Sequence, residues 1–483
     1  MKIAFRVDSS PTIGAGHFMR CFSLAQELIF QGHECAFICS EISADHIKKL
    51  VASKVNFHSV SDGDKASGNE TSSHLKANRV DAIIVDHYGL DGSWEHNVSS
   101  NLSRLVAIDD LQREHIAGSM IVDPTLGRKP TAYNSSNYSQ SLCGSKYALL
   151  EKQYYALHED RLLSEGDRKR SLLICFGGSL AADLTLKTLQ TLDLNEHAIF
   201  DEINVVLPCS DFAAGPVKEL CDKLNATFFD WVEDMPQLLA RTTHSIGAPG
   251  GMAWERAALG IPSIVVQIAD NQADNLKMLQ KAGAIEVCTL ENIAEKLPTA
   301  LSRLEQNYSE LSRRSLSIAD GLGTRRVAQV FSNKTANDGK PIFLRPVEER
   351  DIKTVFDWQN EPGTRKYSLN PEPPKWESHQ AWMHARLDVP TTHFHIIEHG
   401  GNPAGFVRLD REGSRRYRIS ILVSQAFQKL GIAGITLERV STLHREVEIA
   451  ATVLPGNSAS VALFSKAGYS QLSSSEYLLK ASL

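Results

Sequence analysis

A histidine ends a glycine-containing loop near the start of the chain. The loop IGAGH (13–17) follows a short apolar run, KIAFRV, and precedes a stretch with apolar residues at helical spacing. Gly14 and Gly16 let the backbone approach a ligand closely, and the free N–H groups of the following helix suit a phosphate. His17 lies where the loop becomes the helix, a position that favours a neutral imidazole able to accept a proton. We predict His17 as a proton acceptor in a crevice; the alternative is a histidine that caps its own loop.

A second glycine pair, Gly250 and Gly251, ends the segment HSIGAPGG and precedes a helix that contains Glu255. Gln272 and Asn275 come after the next strand. This stretch resembles the nucleotide-sugar half of GT-B-type enzymes. The resemblance implies that the glycine turn holds a pyrophosphate, that the glutamate accepts the ribose hydroxyls, and that the amides lie near the sugar. Alternatively, Glu255 is an ordinary first-turn glutamate that interacts with the helix dipole.

A third glycine-rich turn, QKLGIAG (428–434), lies between a strand and a helix. With the later segment NSASVALFSKAGY (457–469), it resembles the GCN5-related N-acetyltransferase (GNAT) superfamily. Small residues are needed there because the pyrophosphate of acetyl-CoA lies against the backbone. If the resemblance does not hold, 428–434 is merely a glycine-rich turn between a strand and a helix. The resemblance assigns acetyl-CoA binding to Ile421, Val423, Gln428, Leu430, Gly431, Ala433, Gly434 and Asn457.

The acetyltransferase-like segment departs from its family at one position. Phe464 stands where the superfamily often has a tyrosine that protonates the departing CoA thiolate, and phenylalanine cannot donate a proton. Either another group or water supplies the proton, or the module is impaired. We predict Tyr469 as a core residue and assign no general base. Four aromatic residues could line the substrate side of this module, and the alternative is that they lie in its core: Trp376, Trp382, His393 and His395.

These motifs lie on a chain that alternates short apolar strands with helical stretches up to about residue 330. Such alternation predicts parallel sheets covered by helices on both faces, with ligands at the carboxyl ends of the strands. The polar residues after those strands are Asp8, Asp86, Tyr88, Asp109 and Asp110. We predict an α/β protein with two doubly wound Rossmann-like domains in a GT-B arrangement, followed by an α+β GNAT domain. The expected boundaries are 1–150, 151–331, a linker at 332–341, and 342–483.

The first 330 residues resemble a narrower family, the UDP-sugar hydrolases of pseudaminic acid biosynthesis. The segments that carry the resemblance are RVDSSPTIGAGHFMRCFSLA, VDHYGLD, AIDD, CFGGS and the GGMAWE stretch. The resemblance implies metal-independent attack of water at the anomeric carbon of UDP-2,4-diacetamido-2,4,6-trideoxy-β-L-altropyranose, with inversion and with His17 as the catalytic residue. The substrate-binding residues that we expect are Arg6, Asp8, Gly14, Gly16, Arg20, Tyr88, Gly178, Ser179, Gly250, Gly251, Glu255, Gln272 and Asn275. Arg6, Asp8 and Arg20 could equally form internal salt bridges.

Composition and sequence pattern argue against nucleic acid, a membrane and a metal ion as partners. The net charge of −6 over 483 residues argues against a broad nucleic-acid surface. We expect no membrane span, since no apolar run approaches the ~20 residues needed to cross a bilayer. The N-terminus, MKIAFRVDSS, predicts a first strand and no secretory signal. The cysteines show no zinc-ligand spacing, so we expect no metal and a cytoplasmic protein.

Together these features predict a bifunctional enzyme that acts on UDP-activated amino sugars. In the pathway that the resemblance implies, acetylation of a 4-amino sugar nucleotide immediately precedes UDP removal, and the products reach flagellar or surface glycans. The acetyltransferase segment would then use acetyl-CoA on that amine. Two alternatives remain: a GT-B glycosyltransferase fused to an acetyltransferase, or one module that only binds. The sequence does not indicate an oligomeric state.

Overall fold

The computed structural model describes most of the chain, which contacts divide into two compact units. The first unit comprises Met1–His158 and Glu165–Val327, and the second comprises Glu159–Ser164 and Ala328–Leu483. The described residues are 1–10, 13–100, 102–133, 137–163, 169–177, 181–194, 199–208, 214–387 and 389–482.

The first unit begins with a seven-stranded sheet in the order β3-β2-β1-β4-β5-β6-β7, and every neighbouring pair is parallel. Its strands are β1 (Lys2–Val7), β2 (Glu34–Cys39), β3 (Asn56–Ser59), β4 (Ala82–Asp86), β5 (Arg104–Ile108), β6 (Met120–Asp123) and β7 (Gln140–Cys143). The helices are α1 (Gly16–Phe30), α2 (Ala44–Ala52), α3 (Asp64–Ser67), α4 (Asn69–Ala77), α5 (Gly92–Ser99) and α6 (Gln153–Arg161), and the residues of α6 from Glu159 onward belong to the second unit.

A second parallel sheet in the same unit has the order β10-β9-β8-β11-β12-β13. Its strands are β8 (Ser171–Cys175), β9 (Glu202–Val206), β10 (Thr227–Phe229), β11 (His244–Gly247), β12 (Ser263–Val266) and β13 (Ile285–Cys288). The helices are α7 (Ala181–Leu194), α8 (Ala214–Lys223), α9 (Met235–Arg241), α10 (Met252–Ala258), α11 (Ala273–Lys281), α12 (Ile293–Gln306), α13 (Tyr308–Ile318) and α14 (Gly323–Ala328).

The second unit contains a mixed seven-stranded sheet in the order β14-β15-β16-β17-β18-β20-β19. Only the β17–β18 pair is parallel among its described strand pairs. The strands are β14 (Ile342–Pro346), β15 (Thr392–His399), β16 (Asn402–Gly413), β17 (Arg416–Val423), β18 (Glu448–Thr452), β19 (Ser470–Gln471) and β20 (Glu476–Leu479). The helices are α15 (Ile352–Gln359), α16 (Trp376–Leu387), α17 (Ile432–Leu443) and α18 (Ser458–Lys466).

Burial and capping explain why these segments adopt these elements. In the first sheet, β1 is buried from its second residue onward, as expected for a strand with helices on both faces. Phe5 on β1 stacks on Phe37 of β2 with ring centroids 5.1 Å apart. Asp91 caps α5 by accepting a hydrogen bond from the Trp94 amide at 3.0 Å, and Asp234 caps α9 in the same way. Apolar runs therefore form the sheets, and side-chain caps start helices such as α5 and α9.

The predicted fold class is confirmed: two Rossmann-like parallel sheets precede a mostly antiparallel α+β sheet. No helix in the described residues is long and apolar enough to cross a membrane. Nor do His, Cys, Asp or Glu residues form a group of three or more suited to a metal ion in the described ranges.

Candidate functional site

His17 lies at the carboxyl edge of the first sheet, where β1 and β4 end side by side. Val7 of β1 pairs with Asp86, the last residue of β4. Gly14, with φ +83°, turns the chain after β1, and α1 starts at Gly16 with His17 as its second residue. This turn brings His17 Nδ1 to 2.6 Å from Asp86 Oδ1. The fold therefore pairs the predicted histidine with a carboxylate 69 residues further along the chain.

Asp86 is buried, and two basic groups surround it. Arg20 donates from Nε to Oδ2 and from Nη2 to Oδ1, both at 2.6 Å. Burial alone raises the pKa of a carboxyl, but Arg20 and His17 outweigh it and hold the pKa of Asp86 well below its usual range. An ionised carboxylate only accepts hydrogen bonds, so Nδ1 of His17 carries the proton in the contact. In the neutral ring, Nε2 is then the acceptor, and it has no hydrogen-bond partner among the described residues.

Tyr88 lies beside His17. Its ring meets the His17 ring edge-on, with centroids 4.6 Å apart. The Tyr88 hydroxyl donates to Asp110 at 2.8 Å and accepts from Asn271 Nδ2 at 3.3 Å. Burial and the neighbouring Asp110 raise the pKa of Tyr88, which keeps the hydroxyl protonated. The structure thus brings Tyr88, Arg20 and His17 together, and their role as one substrate site stays a prediction.

Arg6 and Asp8, also predicted there, form a buried ion pair instead of facing an open surface. Arg6 Nη1 lies 2.5 Å from Asp8 Oδ1, and both side chains are fully buried. The same carboxylate accepts from the Ser40 amide at 2.8 Å and hydroxyl at 2.6 Å, and lies 3.1 Å from His87 Nε2. Neither Arg6 nor Asp8 contacts His17 through a hydrogen bond in the described part of the chain. Their position fits the salt-bridge alternative.

Glu255 lies one turn into α10, directly after the second glycine pair. Tyr154 Oη donates to Glu255 Oε2 at 2.7 Å, and Oε1 has no hydrogen-bond partner among the described residues. Burial raises the pKa of Glu255 to about 7, and the Tyr154 hydrogen bond opposes that rise. One carboxylate oxygen is therefore fixed by the protein and the other remains able to accept from a ligand hydroxyl.

The other described residues that were predicted for the nucleotide site lie close to the second glycine pair. A methyl group at Gly250 would lie 3.6 Å from Gln272 Nε2, while Gly251 has open space around it. Gln272 Oε1 accepts from the Ile268 amide at 3.0 Å, and Asn275 Nδ2 lies 3.5 Å from the Pro249 carbonyl. Asn275 Oδ1 is buried without a hydrogen-bond partner among the described residues. Two further predicted residues, Gly178 and Ser179, lie outside the described residues.

In the second unit, β17 and β18 diverge after a short pairing. The parallel pairing covers only Arg416–Arg418, whereas β17 stays paired with β16 as far as Val423. From Ile419 to Val423 the edge of β17 that faces β18 has no strand partner in the described sheet. This open edge includes the predicted residues Ile421 and Val423, whose backbone groups are available to an extended ligand.

The predicted pyrophosphate turn leads from β17 into α17. Lys429 and Gly431 both have positive φ, 65° and 77°, and Gly431 is the N-cap of α17. Gln428, Leu430, Ala433 and Gly434 share this turn and the first turn of the helix, and a methyl group at Gly434 would meet nothing within 4 Å. Asn457 instead caps α18 by accepting from the Ser460 amide at 3.1 Å.

A loop before α16 lies beside the segments that follow β17 and β18. Glu361 accepts from the Ser424 hydroxyl at 2.7 Å and the Gln425 amide at 3.0 Å, just after β17. Six residues on, Tyr367 approaches Gly456, which follows β18. The loop from Glu361 to Tyr367 therefore contacts the segments that follow both strands.

The aromatic residues predicted near the acetyl-transfer site are mostly core residues. Phe464 is buried, with its ring centroid 5.0 Å from that of Tyr469. Tyr469 is buried too, and burial raises its pKa. His393 and His395 are buried on β15, while Trp376 and Trp382 pack against the core beside α15. Phe464 is therefore a buried ring at the position where the resemblance implies a tyrosine.

Sequence reasoning missed several contacts that complete these sites. Asp86 and Asp110 were expected only as polar residues at strand ends, and their contacts with His17 and Tyr88 depend on how the strands pair. Tyr154 and Asn271 were not predicted. No local motif marks Tyr154, although Asn271 adjoins the predicted Gln272.

Comparison with known proteins gives one domain match and two sequence relatives. Residues 342–470 match the family described as Acetyltransferase (GNAT) domain. An uncharacterized protein of Methanocaldococcus jannaschii is 25% identical over 407 residues, 80% of this chain and 78% of that protein. The UDP-2,4-diacetamido-2,4,6-trideoxy-beta-L-altropyranose hydrolase of Campylobacter jejuni is 24% identical over 196 residues. That similarity spans 39% of this chain and 64% of the hydrolase.

Two solved structures align with parts of this chain. MurG of Acinetobacter baumannii aligns with a TM-score of 0.49 and 14% identity, over 68% of this chain and 99% of MurG. The spermidine N-acetyltransferase of Vibrio cholerae, in complex with CoA and spermine, aligns with a TM-score of 0.28 and 15% identity. Its alignment covers 29% of this chain and 95% of that chain.

Proposed function

We propose that this protein is a bifunctional enzyme of amino-sugar nucleotide metabolism. The chain carries a GNAT acetyltransferase domain after two Rossmann-like parallel sheets. The first activity is hydrolysis of UDP-2,4-diacetamido-2,4,6-trideoxy-β-L-altropyranose to UDP and the free sugar, in pseudaminic acid biosynthesis. The observation that carries this proposal is the 2.6 Å contact between His17 Nδ1 and Asp86. The partial similarity to a hydrolase of that name supports the choice of substrate.

In the proposed reaction, Nε2 of His17 accepts a proton from a water molecule as its oxygen attacks the anomeric carbon. The C–O bond to the β-phosphate breaks, its electron pair leaves with UDP, and the configuration at the anomeric carbon inverts. The proton on Nε2 makes His17 an imidazolium, which the ionised Asp86 stabilises at 2.6 Å. Arg20 keeps Asp86 ionised and in place, so it acts through the carboxylate.

UDP binding is assigned to the second sheet. The backbone amides at Gly250 and Gly251 suit the pyrophosphate, and the open space around Gly251 lets a ligand approach. Glu255 Oε1 accepts from a ribose hydroxyl, while Tyr154 fixes Oε2. Gln272 and Asn275, held next to the same turn, lie where the sugar would follow the phosphates.

The second activity is transfer of an acetyl group from acetyl-CoA to the 4-amino group of the preceding UDP-amino sugar. The GNAT match and the open edge of β17 support acetyl-CoA as the donor. The neutral amine nitrogen attacks the thioester carbonyl carbon, the C–S bond breaks, CoA thiolate leaves, and the nitrogen gives up one proton to water. Because Phe464 cannot donate a proton, we propose that water protonates the thiolate. We place both activities in the cytoplasm, where the seven described cysteines would remain free thiols.

The test of the hydrolase is an NMR time course with the UDP-diacetamido sugar and no acceptor. Release of UDP and free sugar by the wild type, lost in His17→Ala, supports the proposal. Release only when an acceptor sugar is added would favour the alternative, a GT-B glycosyltransferase.

The acetyltransferase is tested separately, by the consumption of acetyl-CoA with the UDP-4-amino sugar. Formation of the N-acetyl product supports the second activity. Tight acetyl-CoA binding by a folded protein without product would instead indicate a domain that only binds, and Phe464 is the observation that favours this second candidate.

A further inference from the structure

The segment before the GNAT sheet, expected to be a linker, folds into a compact turn in the second unit. Thr335 and Pro341 form an isolated β-bridge. Between them, the Ala336 amide donates to the Lys340 carbonyl at 2.8 Å, and the Gly339 amide donates to the Ala336 carbonyl at 2.9 Å. Backbone hydrogen bonds therefore give this segment a defined conformation, with Asn337 near its tip.

Asn337 reaches the turn that is proposed to hold the acetyl-CoA pyrophosphate. Its backbone amide donates to the Leu430 carbonyl at 2.9 Å, and its side-chain Nδ2 donates to the Lys429 carbonyl at 3.3 Å. Its Oδ1 would lie 3.0 Å from a methyl group placed on Gly431. One residue thus contacts three successive residues of the turn.

These contacts fix the direction of the amides in the turn. A trans peptide unit is planar, and its N–H points opposite to its C=O. When Asn337 holds the carbonyls of Lys429 and Leu430, the N–H groups of Leu430 and Gly431 must point away from Asn337. Lys429 has a positive φ of 65°, which is uncommon for a residue other than glycine, so contacts that hold its carbonyl help to keep the turn in this conformation.

A second contact anchors the same segment beside the turn. His399 Nε2 lies 2.9 Å from Asp338 Oδ1, and the buried His399 ring lies 5.4 Å from Phe427 by ring centroids. The hydrogen bond from His399 lowers the pKa of Asp338, so the carboxylate stays ionised in this contact. Asn337 is therefore held in place independently of its own side chain.

We propose that Asn337 is a positioning residue for acetyl-CoA, acting through the backbone of Lys429 and Leu430 on the amides that meet the pyrophosphate. The proposal rests on the proposed acetyl-CoA function of residues 428–434. It assigns to the segment before the GNAT sheet a part in donor binding. Loss of the Asn337 side chain should therefore weaken the binding only of acetyl donors that carry a pyrophosphate.

The test compares two acetyl donors with the full-length chain: acetyl-CoA, and S-acetylpantetheine, which lacks the pyrophosphate. In Asn337→Ala we expect KM for acetyl-CoA to rise about three- to tenfold, in line with the loss of one hydrogen bond, with kcat unchanged. The kcat/KM for S-acetylpantetheine should stay within about twofold of the wild type, because that donor does not use the turn. A variant that merely disturbed the fold would affect both donors.

Two further variants sharpen the test. Asn337→Asp keeps the size but places an oxygen against the Lys429 carbonyl, so we expect it to behave like Asn337→Ala or worse. Asn333→Ala, an exposed asparagine in the same stretch, should match the wild type. Equal effects of Asn337→Ala on both donors, no effect on either, or full activity in Asn337→Asp would overturn the inference.

Calorimetric titration with acetyl-CoA separates this inference from the function it rests on. Binding by the wild type that weakens in Asn337→Ala supports the inference even without turnover. Binding that is unchanged in the variant overturns the inference alone. No binding by a folded wild-type protein would overturn the acetyl-CoA function and the inference together.

Discussion

The Nδ1 atom of His17 lies 2.6 Å from Oδ1 of Asp86, a carboxylate that Arg20 also holds through two hydrogen bonds. This relationship fixes the ring orientation and leaves Nε2 as the acceptor in the neutral ring. In the proposed reaction, Asp86 contacts His17 and does not contact the attacking water. Asp86 therefore acts by orienting the imidazole ring and by stabilising the imidazolium. Its removal should therefore affect the chemical step more than substrate binding.

The first prediction concerns Asp86→Asn. The amide cannot hold the Nδ1–H tautomer as a carboxylate does, so we expect kcat for UDP-sugar hydrolysis to fall about 10²- to 10⁴-fold. The Kd for UDP should change less than about threefold, since Asp86 is not assigned to UDP. Steady-state kinetics and calorimetry measure the two quantities. Asp110→Asn is the matched control, because Asp110 contacts Arg20 and Tyr88 but not His17; an equal loss in both variants would contradict the specific role of Asp86.

The second prediction concerns Glu255 and pH. Burial raises the pKa of Glu255 to about 7, so the carboxyl is largely protonated at pH 6 and ionised at pH 8. An ionised carboxylate accepts a hydrogen bond from ribose more strongly than a protonated one. The ratio of the Kd for UDP in Glu255→Gln to that in the wild type should therefore be about fivefold larger at pH 8 than at pH 6. Calorimetric Kd values for both proteins give this ratio. Because UDP titrates in the same way in both measurements, its own titration cancels in the ratio. A ratio that stays constant between pH 6 and 8 would exclude ribose binding by the Glu255 carboxylate.

The sequence predicted the elements and the glycine turns better than the partners of the site residues. Periodicity and strand length depend on neighbouring residues, so helices such as α16 and strands such as β17 could be placed from local pattern. The pairing of His17 with Asp86 depends on which strands lie side by side, and that of Glu255 with Tyr154 joins residues 101 positions apart. Asn337 lay in a polar stretch with linker composition, and only its contact with Lys429 distinguishes it.

The third prediction concerns a buried acid in the second unit. Glu159 is fully buried; its carboxylate accepts from Tyr417 Oη at 2.8 Å and pairs with Arg411 at 3.1 Å. Glu159→Gln removes the charge opposite a largely buried guanidinium, so we expect the second unit to lose about 3 kcal/mol of stability. Hydrogen exchange of peptides from β16 and β17 reports the loss locally.

A neighbouring acid supplies the matched control for Glu159. Asp160 pairs with Arg415 at 2.7 Å on the surface, so Asp160→Asn should cost less than about 1 kcal/mol. Similar exchange rates in the two variants would show that the Glu159 pairing does not stabilise the second unit.

The fourth prediction concerns the pH dependence of the first unit. Burial alone lowers the pKa of His115, but the hydrogen bond to Glu95 and the charge of Asp109, 3.4 Å from Nε2, outweigh it and raise the pKa to about 9. A raised pKa means that the folded state favours the charged ring. The stabilisation, about 3 kcal/mol, is thus complete below pH 6.5 and is lost as pH rises through 9.

The His115 prediction is measured as the difference in hydrogen-exchange stability between wild type and His115→Gln at pH 6.5 and pH 9.5. We expect the difference in β5 and β6 to shrink at the higher pH. His96→Gln, on the exposed side of α5, should show no such change. A difference that grows with pH would reverse the assigned sign.

The central claim is that His17, held by Asp86, directs water to the anomeric carbon of a UDP-sugar. Hydrolysis in H₂¹⁸O, followed by mass spectrometry of both products, tests it most directly. The account predicts one ¹⁸O atom at the anomeric carbon of the released sugar, none in UDP, and no labelled product from His17→Ala. The anomeric label is read immediately after release, before exchange with solvent. Label in the β-phosphate of UDP, or undiminished labelling of the sugar by His17→Ala, would contradict it.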